Sequence, residues 1–412
     1  MARLGSLAAY RAQQRARAVG AGLVGKPPLA AWRQVTGRVG LPGTYTGGST
    51  AGFTWVDHYP IYQAGRYLRF QFVNRMLSEA TAEEIPANPY VAKADLRLNG
   101  TRYALTFGGN ASITLAPGEK AWTDILDVTY APGDLLRLVS YLTNSGTDAA
   151  TRKLAANPQY GVFEYQEAWK ANDLTGTGWS EPSSAAPSHA PCCAIIGMPS
   201  AVRPSAIIIG SSSGFGRGDA QAAPDYAQGY ASRALSLAGI PHVRASVSSD
   251  TIQKFLATNL YRLEAAADSG VTHCVMQLAS NDITNGASLA ELQDRYMRAC
   301  DKIAAIVPRI IGVTATVVTD STDNWATLAN QTPRPSAPVR LGFNTWLKTK
   351  PHRAHVLVTD PCARLMDPGE PEKWRVDGTA NKYTVDGTHC SPFAHDLEGQ
   401  AEALELAALT VT

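Results

Sequence analysis

The chain is 412 residues long, with 17 % charged residues and a formal net charge of +2. That length exceeds the ~250–300 residues at which one hydrophobic core stops growing, so two domains are expected. The near-neutral balance gives no electrostatic case for nucleic acid or an acidic membrane surface, and no apolar stretch approaches the ~20 residues of a membrane span, which leaves a small molecule or a neutral polymer as the favoured ligand class.

Residues 1–25 carry Arg3, Arg11, Arg15 and Arg17 but no continuous apolar core followed by a cleavage site. They read as a basic N-terminal arm or helix, either a solvated end or a tether to a larger assembly. From about residue 45 to 165, short β-rich runs alternate with turn signals. Examples are 67–73, 94–98 before Asn99-Gly100, and 103–107 before Gly108-Gly109. Asn-Gly between alternating runs marks a tight hairpin. Further runs surround Ala116-Pro117-Gly118 and Ala131-Pro132-Gly133-Asp134. Residues 26–171 are therefore expected to form an all-β sandwich or jelly roll.

Residues 172–204 are rich in Gly, Ser, Pro and Ala and read as a linker or long loop. Residues 205–412 follow a different grammar: strand-like 206–209, helical 220–238, strand-like 273–278, helical 287–306, strand-like 310–318 and 355–359. That alternation predicts an α/β domain with a parallel sheet wrapped by helices, in which sites gather at the carboxyl ends of strands.

Six cysteines are too sparse for a disulfide scaffold. Cys274 falls in an apolar strand pattern and reads as buried filler. Cys362 and Cys390 lie in two late loops, where a clamping bond is an option and free thiols are the expected state. Cys192-Cys193 offer a metal ligand pair or an external bond, but no Cys-x-x-Cys or matching His spacing supports zinc. His352 and His355 stand in a Pro-His-x-x-His sequence, but no nearby acidic or cysteine ligand completes a set with them. No metal and no cofactor are expected.

The chemistry-bearing residues sit where the predicted strands end. They are Gly210-Ser211-Ser212-Ser213-Gly214, then Ser246 to Thr251, then Ala279-Ser280-Asn281-Asp282, and finally Asp386-Gly387-Thr388-His389. A serine at a strand-to-helix corner needs a base to take its proton, and an Asp three residues before a His can orient that imidazole within one short loop. Each motif has a plainer reading as a helix cap or a turn. One active site explains all of them together.

In order and context these segments resemble the blocks of the SGNH (GDSL) hydrolase superfamily, from Ser205 to the C-terminus. The resemblance implies a three-layer, flavodoxin-like α/β domain and a metal-independent serine esterase. Carried over residue by residue, it makes Ser212 the nucleophile, His389 the general base and Asp386 its orienting carboxylate. It also makes Asn281 an oxyanion donor, alongside the backbone N–H groups of Ser212 and Ser249. Three positions depart from the family's pattern: Ser211 stands for the aspartate of Gly-Asp-Ser, Ser249 for the second-block glycine and Ala279 for the third-block glycine. The first should weaken support of the turn, the second requires a Cβ to tolerate the glycine's φ, and the third is expected to affect packing alone. Residues 65–74 and 122–142 resemble the jelly-roll module that precedes the hydrolase domain in some bacterial SGNH esterases. With that module, the resemblance implies an O-acyl ester substrate, an O-acetylated carbohydrate first.

Several alternatives stay open at this level. Ser211 or Ser213 competes with Ser212 as nucleophile, and His395 competes with His389 as base. Gly210, Gly214 and Gly216 match the glycine spacing of short-chain dehydrogenases, which bind a nicotinamide cofactor, but no tyrosine here is followed by lysine four positions on. A non-catalytic binding or virion structural protein with a decayed hydrolase fold is the third reading.

Overall fold

Strands covered on both faces must be apolar on both faces, and the run Ala206–Gly210 is buried at every residue. It lies at the centre of a parallel sheet in a computed structural model that describes residues 31–37, 39–41, 43–46, 53–78, 81–144, 148–153, 166–170, 173, 175–176, 188–189, 192–219, 227–258 and 260–411. The basic segment 1–25 lies outside the described residues.

The strands of this sheet are β1 (Val39–Gly40), β2 (Ala206–Gly210), β3 (His242–Arg244), β4 (His273–Gln277), β5 (Arg309–Val313) and β6 (His355–Thr359), in the order β1-β3-β2-β4-β5-β6 with every pair parallel. Alternate residues serve opposite faces. Ile207 and Ile209 join one buried cluster with Leu292 and Tyr296, and Ile208 joins the other with Tyr230 and Ala234. Counted from β2, the order is that of a doubly wound sheet whose direction of winding reverses between β2 and β4, and such a reversal opens a crevice at the strands' carboxyl ends.

The helices are α1 (Ser212–Phe215), α2 (Tyr230–Leu237), α3 (Ile252–Ala257), α4 (Leu260–Ser269), α5 (Ser280–Thr284), α6 (Leu289–Ala304), α7 (Ala337–Lys348), α8 (Cys362–Leu365) and α9 (Pro392–Leu406). A capping box of Ser288 and Glu291 starts α6 within the expected span. The helix expected over 220–238 starts only at Tyr230, because Gly229 holds φ 84° and cannot continue a helix backwards; residues 220–226 lie outside the described set.

Ahead of this α/β unit stand antiparallel sheets. One pairs Gly65–Val73 with Cys192–Pro199, Lys120–Trp122 and Leu126–Tyr130; another runs Ile113–Leu115, Tyr90–Leu98, Leu135–Asn144, Phe53–Pro60, Gln166–Lys170. Leu68, Phe70 and Phe72 of the first sheet face Ala94, Leu96, Leu136 and Leu138 of the second in one core. Asn99 and Gly100 both have positive φ, 50° and 82°, and join Tyr90–Leu98 to Thr101–Leu105 as a tight hairpin.

Two features differ from the sequence expectation. The interval 172–204 is not all linker: Cys192–Pro199 is a buried strand beside Gly65–Val73, where the Cys193 thiol donates to Gln71 Oε1 at 2.8 Å. The apolar run Cys192 to Ile196 outweighs the Gly, Ser and Pro around it. Moreover, β1 comes from the N-terminal segment, between Arg33–Gln34 of the first antiparallel sheet and Phe53–Pro60 of the second, and forms the edge of the parallel one.

Helix α4 joins the two halves. Its acidic residues meet Gln71, Arg75 and Lys120 of the antiparallel part, with Gln71 Nε2 to Asp268 at 2.8 Å and Lys120 Nζ to Glu264 at 3.2 Å. The apolar core is continuous across this contact, through Leu263 and Ala266 to Ile207.

Helix α9 packs against α2 and carries two buried carboxyls, Glu398 and Glu402. Burial, with the charge of Glu398, pushes the Glu402 carboxyl up to about 8. Between the ~4.3 of an unfolded glutamate and that value, the folded chain holds a proton that the unfolded chain releases, so stability falls as pH rises through this window. Glu402→Gln should shrink the loss of melting temperature between about pH 5 and pH 8 in thermal unfolding. An undiminished loss would place the proton on another group.

Candidate active site

The corner after β2 is built by glycines. A Cβ on Gly214 would lie 2.7 Å from Ser246 Oγ and 2.8 Å from Gln277 Oε1, so α1 can sit this close to the strand ends only without side chains. Ser211 N donates to Gln277 O at 3.2 Å, which ties the corner to β4, and Ser212 follows as the first helical residue. It is buried, as is the His389 side chain.

His389 bridges the other two residues. Its Nε2 lies 2.8 Å from Ser212 Oγ and its Nδ1 2.7 Å from Asp386 Oδ2. With Nδ1–H donated to the carboxylate, Nε2 has a lone pair for the serine hydroxyl. Asp386 Oδ1 accepts from the backbone N–H of His389 at 2.8 Å and of Thr388 at 3.0 Å. Partial burial works to raise this carboxyl, but the hydrogen bond and charge of His389 together with the two N–H groups hold it down at about 2, so it stays ionised at any working pH. Its side chain is 43 % exposed.

The loop carrying this pair is clamped at Gly387, whose φ is 78° and where a Cβ would fall 2.0 Å from Thr319 O and 2.5 Å from the Trp325 ring. Gly387 O accepts from the buried Trp374 indole and from Thr319 N, and Thr384 Oγ1 bridges Gly387 N and His389 O. Beyond the loop, Ser391 caps α9.

Among the described residues, neither Ser211 nor Ser213 has a hydrogen bond to His389. His395 is committed elsewhere: fully buried, it accepts from Tyr230 N at Nδ1 and reaches Arg217 O through Nε2, 3.1 Å each. Burial also lowers its pKa.

Asn281 lies at the start of α5, just past β4, and its Nδ2 donates to Asp250 O at 2.8 Å, the residue after Ser249. The segment 246–250 is in turn held to the serine corner by Val247 N to Gly210 O at 3.0 Å. An amide nitrogen has two hydrogens. The second on Asn281, the N–H of Ser212 and the N–H of Ser249 have no acceptor among the described residues.

Two of the departures acquire a backbone meaning. Ser249 adopts φ 61° and Ala279 φ 135° with ψ −36°. Both keep the conformation that glycine takes without cost. For Ala279 this corrects the expectation of a packing effect alone: the substitution acts through backbone strain at the entrance of the Asn281 helix. Cys362 and Cys390 are free thiols, and no clamping disulfide joins them. His352 and His355 belong to a hydrogen-bonded turn, with His352 N donating to His355 Nδ1 at 3.2 Å, and no group of three metal-ligating side chains occurs among the described residues. Sequence reading missed Trp374, Thr384 and Trp325 as holders of the histidine loop, since nothing in their local pattern marks a contact with residue 387.

No family model and no curated protein matches this chain. Solved structures do match it. Its structural neighbours include GDSL lipolytic proteins and carbohydrate esterases. A member of the lipolytic G-D-S-L family from Veillonella parvula is 16 % identical, over 49 % of this chain and 97 % of that one, with a TM-score of 0.34. An acetylxylan esterase mutant from Geobacillus stearothermophilus is 13 % identical over 51 % and 96 %, TM-score 0.35. A family two carbohydrate esterase from Clostridium thermocellum is 8 % identical over 88 % of this chain and 92 % of that one, TM-score 0.36.

The strain at Ala279 sets a stability test. A non-glycine residue in such a region costs ~1–3 kcal/mol, whereas a glycine adds only ~0.4–1 kcal/mol of unfolded-state entropy. Ala279→Gly is therefore expected to stabilise the fold by about 1 kcal/mol in denaturant unfolding, and a loss of stability would mean that the alanine methyl packs well enough to offset its strain.

Proposed function

We propose that this chain is a serine esterase that hydrolyses O-acyl esters through an acyl-enzyme, with O-acetyl groups on a carbohydrate as the substrate class. The observation that carries the reading is His389, hydrogen-bonded on one nitrogen to the Ser212 hydroxyl and on the other to the Asp386 carboxylate. His389 Nε2 takes the Ser212 proton as Oγ attacks the ester carbonyl, and the carbonyl electron pair moves onto the oxygen. The donors without acceptors, Ser212 N–H, Ser249 N–H and the second Asn281 N–H, stabilise that oxyanion. The tetrahedral intermediate collapses, the C–O bond to the alcohol breaks and the imidazolium returns its proton to the leaving oxygen. Water then repeats the sequence on the acyl-enzyme, releasing the acid and restoring the Ser212 hydroxyl.

The acetyl preference follows the resemblance of residues 205–412 to SGNH esterases. The carbohydrate part follows the resemblance of the antiparallel half to accessory modules of bacterial SGNH esterases. The dehydrogenase reading loses its main support, because Gly210 and Gly214 are accounted for by contact with Ser246 and Gln277. The decayed-hydrolase reading is opposed by Ser249 and Ala279, which preserve the backbone conformations of the glycines they stand for.

Turnover of p-nitrophenyl esters from acetyl to octanoyl tests the proposal. Hydrolysis should be fastest for acetyl and fall by at least about 10³-fold in Ser212→Ala and His389→Ala. His395→Ala should cost stability first. No turnover across the series, or a His389→Ala rate near that of the wild type, would defeat the assignment.

A further inference from the structure

Asn281 is the one candidate oxyanion donor that is a side chain, so its aim depends on what holds its other hydrogen bond. That bond goes to the backbone oxygen of Asp250. Asp250 is 1 % exposed, and its carboxylate accepts from Thr251 N at 2.9 Å and from Arg262 Nη1 at 2.5 Å. Arg262, on α4, is fully buried, with its guanidinium 4.8 Å over the Phe255 ring. Its Nε reaches Glu83 Oε1 at 3.4 Å, and the same carboxylate accepts from the backbone N–H of Tyr261 at 3.0 Å and of Arg262 at 3.2 Å. Glu83 belongs to the short strand Ala82–Glu84 of the antiparallel part, 179 residues away in sequence.

We infer that Glu83 and Arg262 are positioning residues for the oxyanion donors: the antiparallel part sets the aim of Asn281 through the path Glu83, Arg262, Asp250. The inference rests on the esterase reading for its catalytic meaning. A buried cation between two carboxylates from different halves is a rigid link, since moving either carboxylate breaks one of the guanidinium's two ion pairs in a dry site. The link ends on the backbone of residue 250, between Ser249 N–H and the Asn281 amide. Displacing it shifts two of the three donors together and leaves Ser212, His389 and Asp386 where they are. Such a shift weakens transition-state stabilisation and leaves substrate binding nearly intact.

Glu83→Gln and Arg262→Lys, each made in the wild-type chain and in Asn281→Ala, test this by steady-state kinetics on the acetyl ester. In the wild-type background kcat should fall about 10- to 100-fold with KM changed less than about 3-fold. In Asn281→Ala the same changes should cost clearly less than in the wild-type background, because one of the two donors the path holds is gone. Equal losses in both backgrounds, or a lower melting temperature with unchanged kcat, would overturn the inference. Should Arg262→Lys fail to fold, Glu83→Gln carries the test alone. The side-chain amide signal of Asn281 in a ¹H–¹⁵N spectrum, identified by its disappearance in Asn281→Ala, gives a readout that needs no turnover. It should shift in Glu83→Gln, and a signal that stays in place overturns the path. A wild-type chain with no esterase activity would sink the esterase reading, and the amide signal would then decide the path by itself.

Discussion

An imidazole has two nitrogens, and the fold of this chain commits both of those on His389. Asp386 Oδ2 receives one and Ser212 Oγ lies at the other, 2.7 and 2.8 Å away. The arrangement depends on a chain reversal of four residues, in which Asp386 also accepts two backbone N–H groups of its own loop. A carboxylate satisfied in this way holds the loop and the ring with one group. The reversal is narrow enough that residue 387 has no space for a methyl, and Trp374, Thr319 and Thr384 close around it.

The serine arrives from the opposite direction, and the sheet explains why it meets the imidazole. β2 and β4 are neighbours at the point where the winding reverses. The chain leaving β2 and the chain leaving β4 therefore open onto the same crevice, one with Ser212 and the other with Asn281. Gly210 and Gly214 let the first turn press against Ser246 and Gln277. In a doubly wound sheet this is the place where side chains from distant segments converge without any single loop having to travel far.

Much of this was legible because the signals are local. Ala206–Gly210 and His273–Gln277 are buried runs long enough to show themselves as central strands, and Asp386 to His389 is a complete motif within four residues. What escaped is what depends on distance or brevity. β1 has two residues and no period to read, and Cys192–Pro199 was submerged in the composition of its surroundings. The tie between Glu83 and Arg262 spans 179 positions and leaves no mark in either neighbourhood.

The substituted block positions show which property of a motif the fold needs. Matched letter by letter, Ser249 and Ala279 count against an oxyanion pocket. In the structure both hold positive φ, at 61° and 135°, as a glycine would. The constraint falls on the direction of the backbone leaving β3 and β4, which fixes where Ser249 N–H and the Asn281 side chain begin. A Cβ at either position adds strain to that path without redirecting it. Strain of this size must be held by surrounding contacts. The Asp282 carboxylate accepting from Ile252 N at 2.7 Å and the Asn281 amide donating to Asp250 O at 2.8 Å span the two segments from both sides. The same contacts that keep an alanine at φ 135° therefore also keep the carboxamide beside the residue that follows Ser249, so local strain and the fixed aim of a polar group have a common origin.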